Sequence, residues 1–172
     1  KWYQISVSES APLGGRGFWA GGQTEHPSSP WSNTIDYITI ATKGNVVDFG
    51  DMSRQGTTYG TGASSTRGII GPGKHPASPS SWSNVIDYVT MATQGNATQF
   101  GTMGGGDTDY YIYANHGCCS TQTRCLFAGG NTKHNVIQYI TIQTLGDTID
   151  FGDLITATEE PFSLSSQTRG VF

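Results

Sequence analysis

The sequence predicts an all-β protein built from repeated antiparallel sheets, and three observations support this fold class. Glycine contributes 24 of 172 residues, about twice its usual share, whereas charged residues make up 13%, about half of theirs. Long stretches are rich in β-branched and aromatic residues, which strands favour. The chain also repeats with a period of 51 residues. The 11% of aromatic residues argues against a disordered linker, and the absence of a three-residue glycine period excludes collagen.

The repeat is visible wherever the same residue type recurs at a fixed interval. Intervals of 51 residues separate Asn33, Asn84 and Asn135; Tyr37, Tyr88 and Tyr139; and the Phe-Gly pairs at 49–50, 100–101 and 151–152. An arginine before an apolar segment recurs at intervals of 51, 57 and 45 residues, at Arg16, Arg67, Arg124 and Arg169. Length changes of this kind are typical of loops between fixed strands. The single β-repeat domain 1–172 therefore divides into a partial repeat (1–15), three repeats (16–66, 67–123 and 124–168) and the start of a further repeat (169–172).

Each repeat is predicted to form four short strands in an antiparallel meander. The first strand follows the arginine and ends at glycines, as in 16–20. The second is β-branched and aromatic, and the predicted segments are 33–42, 84–93 and 135–144. A Gly-Asn or Gly-Asp pair then predicts a hairpin turn before the returning strand, at positions 44, 95 and 146. The variable segment before the next arginine supplies the fourth strand.

The second strand is apolar on both faces, with Ile35 and Tyr37 on one face and Ile38 and Ile40 on the other. A strand buried on both faces has to be covered on each side. Blades stacked around an axis do this, so a β-propeller or part of one is favoured over a prism-like or solenoid stack of sheets. Propellers usually have four or more blades, so three repeats are expected to belong to a longer ring or to assemble with copies.

The repeat segments NTIDYITIATKGNVVDFGDM, NVIDYVTMATQGNATQFGTM and NVIQYITIQTLGDTIDFGDL, with a strand ending in Gly-Gly, resemble the kelch family of β-propellers. More narrowly, they are similar to the kelch-like repeats of virion proteins from tailed bacteriophages. The likeness covers nearly the whole chain, although Gly71-Pro72-Gly73 interrupts the double glycine and neither Trp31 nor Trp82 stands where a kelch tryptophan would. It implies a non-enzymatic tail-fibre, appendage or capsid-surface component of the virion. Its partners would be other virion proteins or copies of itself, and no catalytic residue or cofactor carries over.

Charge and hydropathy argue against two classes of partner. The net charge is −4, and the basic residues are scattered, so a nucleic-acid surface is not expected. No apolar run approaches the roughly 18–20 residues of a membrane-spanning helix, so no membrane partner is expected.

Aromatic residues in loops are the best binding candidates in the sequence. They are Trp31, Trp82, Tyr110, Tyr111 and Tyr113. Exposed rings of this kind stack on sugars or anchor a protein partner, whereas the alternative for the tryptophans is packing that closes a blade. The alternative function is therefore a host-surface glycan-binding adhesin or lectin-like module. A secreted propeller enzyme, such as a glycosidase or oxidase, is the third hypothesis.

The polar candidates favour structural roles. Histidines recur once per repeat before the second strand, at His26, His75 and His134, but at unequal offsets, so no metal site is predicted; His116 lies elsewhere. One strand position carries Asp36, Asp87 and Gln138. Because an amide replaces the carboxylate there, the position calls for a hydrogen bond and not for a proton donor.

The recurring arginines and the cysteines have two interpretations each. An arginine fork can tie carbonyls or an acid such as Asp36 or Asp87 between neighbouring strands, or it can bind a ligand. The three cysteines fall within eight residues, too few and too close for a zinc finger. They are either idle thiols or form one disulfide, from Cys119 or Cys118 to Cys125.

Overall fold

A computed structural model describes residues 15–25, 31–57, 60–74, 82–104, 115–131 and 133–172. Over these residues the protein is all-β, as predicted, and its antiparallel sheets stay open. No helix with the length and hydrophobicity needed to cross a bilayer occurs in this part of the chain.

Sheet 1 has three strands in the order of the chain. They are β1 (Arg16–Gln23), β2 (Trp31–Thr39) and β3 (Val47–Asp51). β2 begins and ends earlier than the predicted 33–42. It ends at Thr39 because a turn closed by a hydrogen bond from Thr42 N to Thr39 O follows it.

Sheet 2 contains four strands with a short extension at one end. Its strands are β4 (Thr61–Ala63), β5 (Arg67–Ile70), β6 (Gly73–Lys74), β7 (Trp82–Ser83), β8 (Val85–Thr90) and β9 (Thr98–Thr102). The sheet order is β4-β5-β8-β9, and β6 pairs with β7.

Sheet 3 repeats the four-stranded plan, and a further strand pair follows it. The sheet consists of β10 (Gly117–Ser120), β11 (Arg124–Ala128), β12 (His134–Thr141) and β13 (Ile149–Thr158). Beyond it, β14 (Leu164–Ser165) pairs with β15 (Gly170–Val171).

The three sheets share one register, so the sequence repeat is also a repeat of backbone geometry. The arginine of each repeat pairs with a threonine of the second strand, in Arg16–Thr39, Arg67–Thr90 and Arg124–Thr141. Each sheet also has an irregularity opposite its Phe-Gly pair, between Ile35/Asp36, Ile86/Asp87 and Ile137/Gln138. In sheet 1, Ile35 pairs with Gly50 and Asp36 with Asp48, which leaves Phe49 as the extra residue of a β-bulge.

The sheets are displaced by one strand from the sequence repeats. The strand before each arginine was expected to complete the preceding meander, but β4 pairs with β5, and β10 pairs with β11. A tight turn explains this pairing, because Ser64 Oγ accepts hydrogen bonds from the backbone N of Thr66 and of Arg67. The same turn recurs at Thr121 and Ser166. A tight turn of this kind favours pairing of the two strands that it connects over pairing with the preceding sheet, from which a longer segment separates them.

The hydrophobic core lies between the sheets. One cluster joins sheets 1 and 2 and consists of Ile35, Phe49, Met52, Ile70 and Val89. The other joins sheets 2 and 3 and consists of Ile69, Ile86, Phe100, Met103, Cys125, Phe127, Ile140 and Ile142. Sheet 2 contributes to both clusters, so it is covered on each face, as the apolar pattern of its second strand predicted.

Candidate functional site

The contacts between successive sheets recur at the same repeat positions, and we call each such contact a joint. The first joint connects sheets 1 and 2, and the second connects sheets 2 and 3. In each joint the earlier sheet contributes its trailing face and the later sheet its leading face.

The recurring arginines cross the joints. Arg16 Nη1 donates to the carbonyl oxygen of Met91 at 2.6 Å, and Arg67 Nη1 donates to that of Ile142 at 2.8 Å. Each guanidinium lies over a tyrosine ring of its own sheet, with centre distances of 4.9, 4.7 and 4.9 Å for Arg16–Tyr37, Arg67–Tyr88 and Arg124–Tyr139. For Arg16 and Arg67 the ring therefore orients the guanidinium group, which donates to a backbone carbonyl of the next sheet. Arg169 lies in the turn between β14 and β15.

In each joint, the hairpin tip of the later sheet forms hydrogen bonds with the backbone of the earlier sheet. In the first joint, Gly95 N donates to Phe49 O at 2.9 Å, and Asp51 N donates to the Asn96 side chain at 3.0 Å. The second joint repeats this, with Gly146 N on Phe100 O at 3.1 Å and Thr102 N on Asp147 Oδ1 at 2.8 Å.

The carboxylate of Asp147 is stabilised by its partner. Thr102 donates to it from the side chain, at 2.8 Å, and from the backbone, and these bonds lower the pKa of Asp147 below its ordinary value. Asparagine and aspartate thus perform the same task at the tip, as acceptors for the preceding sheet.

The glycine of the Phe-Gly pair is required by the close approach of this tip. A Cβ atom on Gly50 would lie 2.5 Å from Gly95 O, and one on Gly101 would collide with Gly146 O. A side chain at either position would separate the two sheets.

At the repeat position of Asp36, the side chains of Asp87 and Gln138 form hydrogen bonds across the two joints. The fully buried Asp87 accepts from Ser53 Oγ at 2.7 Å and lies 3.5 Å from Arg54 Nη1. Burial lowers the pKa of Arg54, and the nearby Asp87 opposes this shift. Gln138 donates to Gly104 O at 2.5 Å. Carboxylate and amide thus bind the segment that follows the preceding sheet, as the alternation in the sequence indicated.

In the described part of the chain, the leading face of sheet 1 and the trailing face of sheet 3 each have the residues that form one side of a joint, but no full sheet packs against them. On the leading face of sheet 1, Ile40 is 67% exposed, whereas its counterparts Met91 and Ile142 are buried. On the trailing face of sheet 3, Phe151 is 50% exposed, whereas Phe49 and Phe100 are 2% and 3% exposed. β14 and β15 lie against β10 of this sheet, and Phe151 stays half exposed.

Lys74 links the two predicted tryptophans. Its Nζ atom lies 5.7 Å from the Trp31 ring centre and 5.8 Å from the Trp82 ring centre. Both tryptophans are partly buried and belong to strands, β2 and β7, where loops were expected. Lys74 was not predicted as a site residue. The one sequence signal for it is that it directly follows Gly73, at the predicted end of a strand. Tyr110, Tyr111 and Tyr113 lie outside the described residues.

Of the four histidines, His116 and His134 lie among the described residues. His26 and His75 lie outside the described residues, and His134 begins β12. His116 is 3% exposed and packs edge-on against Phe127 at 5.3 Å, and burial lowers its pKa to about 4. Among the residues that the structure describes, no group of three or more His, Cys, Asp or Glu residues could hold a metal ion.

No bond links the three cysteines in this structure, and their placement corrects one predicted pairing. Cys119 faces Leu126, whereas Cys125 faces Ser120 across the β10–β11 hairpin. Successive side chains of a strand point to opposite faces, so Cys119 and Cys125 cannot meet. The alternative partner, Cys118, shares the face of Cys125, and their Sγ atoms are 3.1 Å apart.

Comparison with known proteins gives a similarity of fold. No protein-family model matches the chain, and no curated protein matches it either. Solved structures do match, and one of them is described as "Structure of YjhT", with a TM-score of 0.56 and 10% sequence identity. The match covers 77% of this chain but 42% of that one, so the chain spans less than half of the protein that it resembles.

Proposed function

We propose that this protein is a non-enzymatic structural component of a phage virion, in a fibre, an appendage or the capsid surface, and that it joins protein subunits. Its sheets would be successive kelch-like blades of a β-propeller or of part of one. The repeat segments support the virion assignment by their resemblance. The observation that carries the assembly role is the pair of outer faces, because each presents the missing half of the other.

The two faces are complementary in polar chemistry. The Gly44-Asn45 tip of sheet 1 occupies the repeat position of Gly95-Asn96, which supplies an N–H donor and a side-chain acceptor in the first joint. The backbone of Phe151 and Asp153 in sheet 3 occupies the position that receives such a tip. A neighbouring subunit would therefore form, between chains, the hydrogen bonds that the internal joints form within the chain.

The faces are also complementary in apolar surface. Trp19 and Ile40 are 55% and 67% exposed on the leading face, and Phe151 is 50% exposed on the trailing face. Burial of apolar surface is the main favourable term in most protein association. The partner is thus another copy of this chain or another virion protein that carries the same hairpin tip.

Native mass and an image of the assembled particle test this proposal, and a matched pair of variants sharpens the test. Asn45→Ala removes the acceptor at the open tip, so it should weaken self-association, or binding to the other virion proteins, and leave the unfolding midpoint unchanged. Asn96→Ala removes the same acceptor inside the first joint and should lower the midpoint instead. A wild-type chain that stays monomeric and binds no virion protein at high concentration would contradict the proposal.

The Trp31–Lys74–Trp82 cluster favours a second candidate, a host-surface glycan-binding adhesin. Two aromatic rings beside one ammonium group suit a sugar that carries an acidic substituent. A glycan array should then retain the wild-type protein and lose Trp31→Ala and Trp82→Ala, with the exposed aromatic variant Phe162→Ala as the control. If these variants change assembly alone, the tryptophans have a structural role. Hydrolysis of surface polysaccharide by the purified protein would instead support the secreted enzyme.

A further inference from the structure

Cys118 and Cys125 form a close pair of thiols on adjacent strands. Their Sγ atoms are 3.1 Å apart, and Cys125 is fully buried. The pair lies on the face of the β10–β11 hairpin that turns toward sheet 2. Cys119 lies on the other face, where a Cβ atom on Gly170 would come within 2.6 Å of its Sγ atom.

Glycines of sheet 2 and the preceding loop make room for the two sulfur-bearing side chains. A Cβ atom on Gly62 would lie 2.5 Å from Cys125 Sγ, and one on Gly60 would lie 2.6 Å from Cys118 Cβ. The backbone of β4 and its entry therefore covers the pair directly. The thiols are thus part of the second joint, at the strand contact between β4 and β10.

We propose that Cys118 and Cys125 are a modification site, where a disulfide links β10 to β11 and holds the hairpin in the second joint. A disulfide requires two cysteines on one face of the hairpin with their sulfur atoms close together. Cys118 and Cys125 are diagonal neighbours on one face with adjacent Sγ atoms, whereas Cys119 and Cys125 lie on opposite faces. Such a bond persists where the surroundings are oxidising, as outside a cell.

The oxidant would be a small-molecule disulfide. The thiolate of one cysteine attacks this disulfide, forms a mixed disulfide and releases one small thiol. The thiolate of the other cysteine then displaces the second small thiol, so the cysteines are oxidised while the small disulfide is reduced to two thiols. In the folded protein, the hydrogen bond to Cys125 and burial raise the pKa of Cys118 well above its ordinary value. Exchange is therefore expected during folding, before β4 covers the sulfurs.

Labelling and mass measurement test the site on the full chain. The protein is refolded with oxidised glutathione, acidified, unfolded in guanidinium and labelled with N-ethylmaleimide. We expect one label per chain before reduction and three after it. Trypsin cleaves after Arg124, so an unreduced digest should show peptides 75–124 and 125–133 linked, and reduction should separate them.

Cysteine variants assign the link. Cys119→Ser should keep the linked peptides, whereas Cys118→Ser should lose them. Fragmentation of the linked wild-type peptides distinguishes Cys118 from Cys119 without any variant, in case a variant does not fold. Three labels before reduction, or a link from Cys119 to Cys125, would overturn the proposal.

Discussion

Phe100 and Phe151 occupy the same repeat position but differ in what covers them, so they test the role of the joints directly. Phe100 is 3% exposed because sheet 3 packs on it, whereas Phe151 is 50% exposed. Each ring makes the same edge contact with a tyrosine of its own sheet, at 6.0 Å for Tyr88–Phe100 and 5.9 Å for Tyr139–Phe151. The difference between the two truncations therefore isolates the contribution of the neighbouring sheet.

We expect Phe100→Ala to lower the free energy of unfolding by about 3–5 kcal/mol, the usual cost of removing a buried ring. Phe151→Ala should cost about 2 kcal/mol, because half of its side chain is exposed in the first place. Urea titration followed by tryptophan fluorescence measures both values, at a concentration low enough for monomers. Equal costs for the two variants would refute the argument that burial in the joints stabilises the fold.

Three further predictions concern single groups. The pKa of His116 is lowered to about 4 from an ordinary 6.5, so the unfolded chain takes up the proton at a higher pH than the folded chain does. Stability therefore falls as the pH drops from about 6.5 to about 4. The loss should be about 3 kcal/mol in urea titrations at pH 7 and 4, and His116→Phe should abolish it. Gly101→Ala should lower the melting temperature strongly because its Cβ collides with backbone, whereas Gly104→Ala, with ordinary contacts, should not. Arg67→Ala should cost about 1.5–3 kcal/mol through the lost charged hydrogen bond, and an equal loss in Arg124→Ala would contradict a role across the joint.

The repeat and the strands were predictable because they depend on local patterns. β-branched residues at Ile35–Tyr37 and its counterparts indicated strands, and the Gly-Asn and Gly-Asp pairs indicated hairpin turns. The displacement of the sheets by one strand was not predictable in the same way. It depends on the Ser64 and Thr121 turns, whose hydrogen bonds become evident once the backbone is folded.

The candidate site was predictable in part. The recurrence of Arg16 and Arg67 indicated a shared role, but their acceptors are backbone carbonyls 75 residues away, which no side-chain pattern reveals. Trp31 and Trp82 were predicted as binding residues from their aromatic side chains. The contact of Lys74 with both depends on its pairing with Trp82 in the β6–β7 ladder and on the packing of Trp31 from sheet 1 beside it.

The amino-acid sequence was sufficient to predict the all-β class, the 51-residue period, the Gly-Asn and Gly-Asp turns and the apolar character of both strand faces. These properties follow from backbone preferences and from side-chain alternation, which act over a few residues. Packing between the sheets determines which strands share a sheet, which cysteines lie close together, and which of three equivalent phenylalanines stays exposed. Those outcomes depend on what packs beside each sheet, and so the same residue type is buried at Phe49 and Phe100 but half exposed at Phe151.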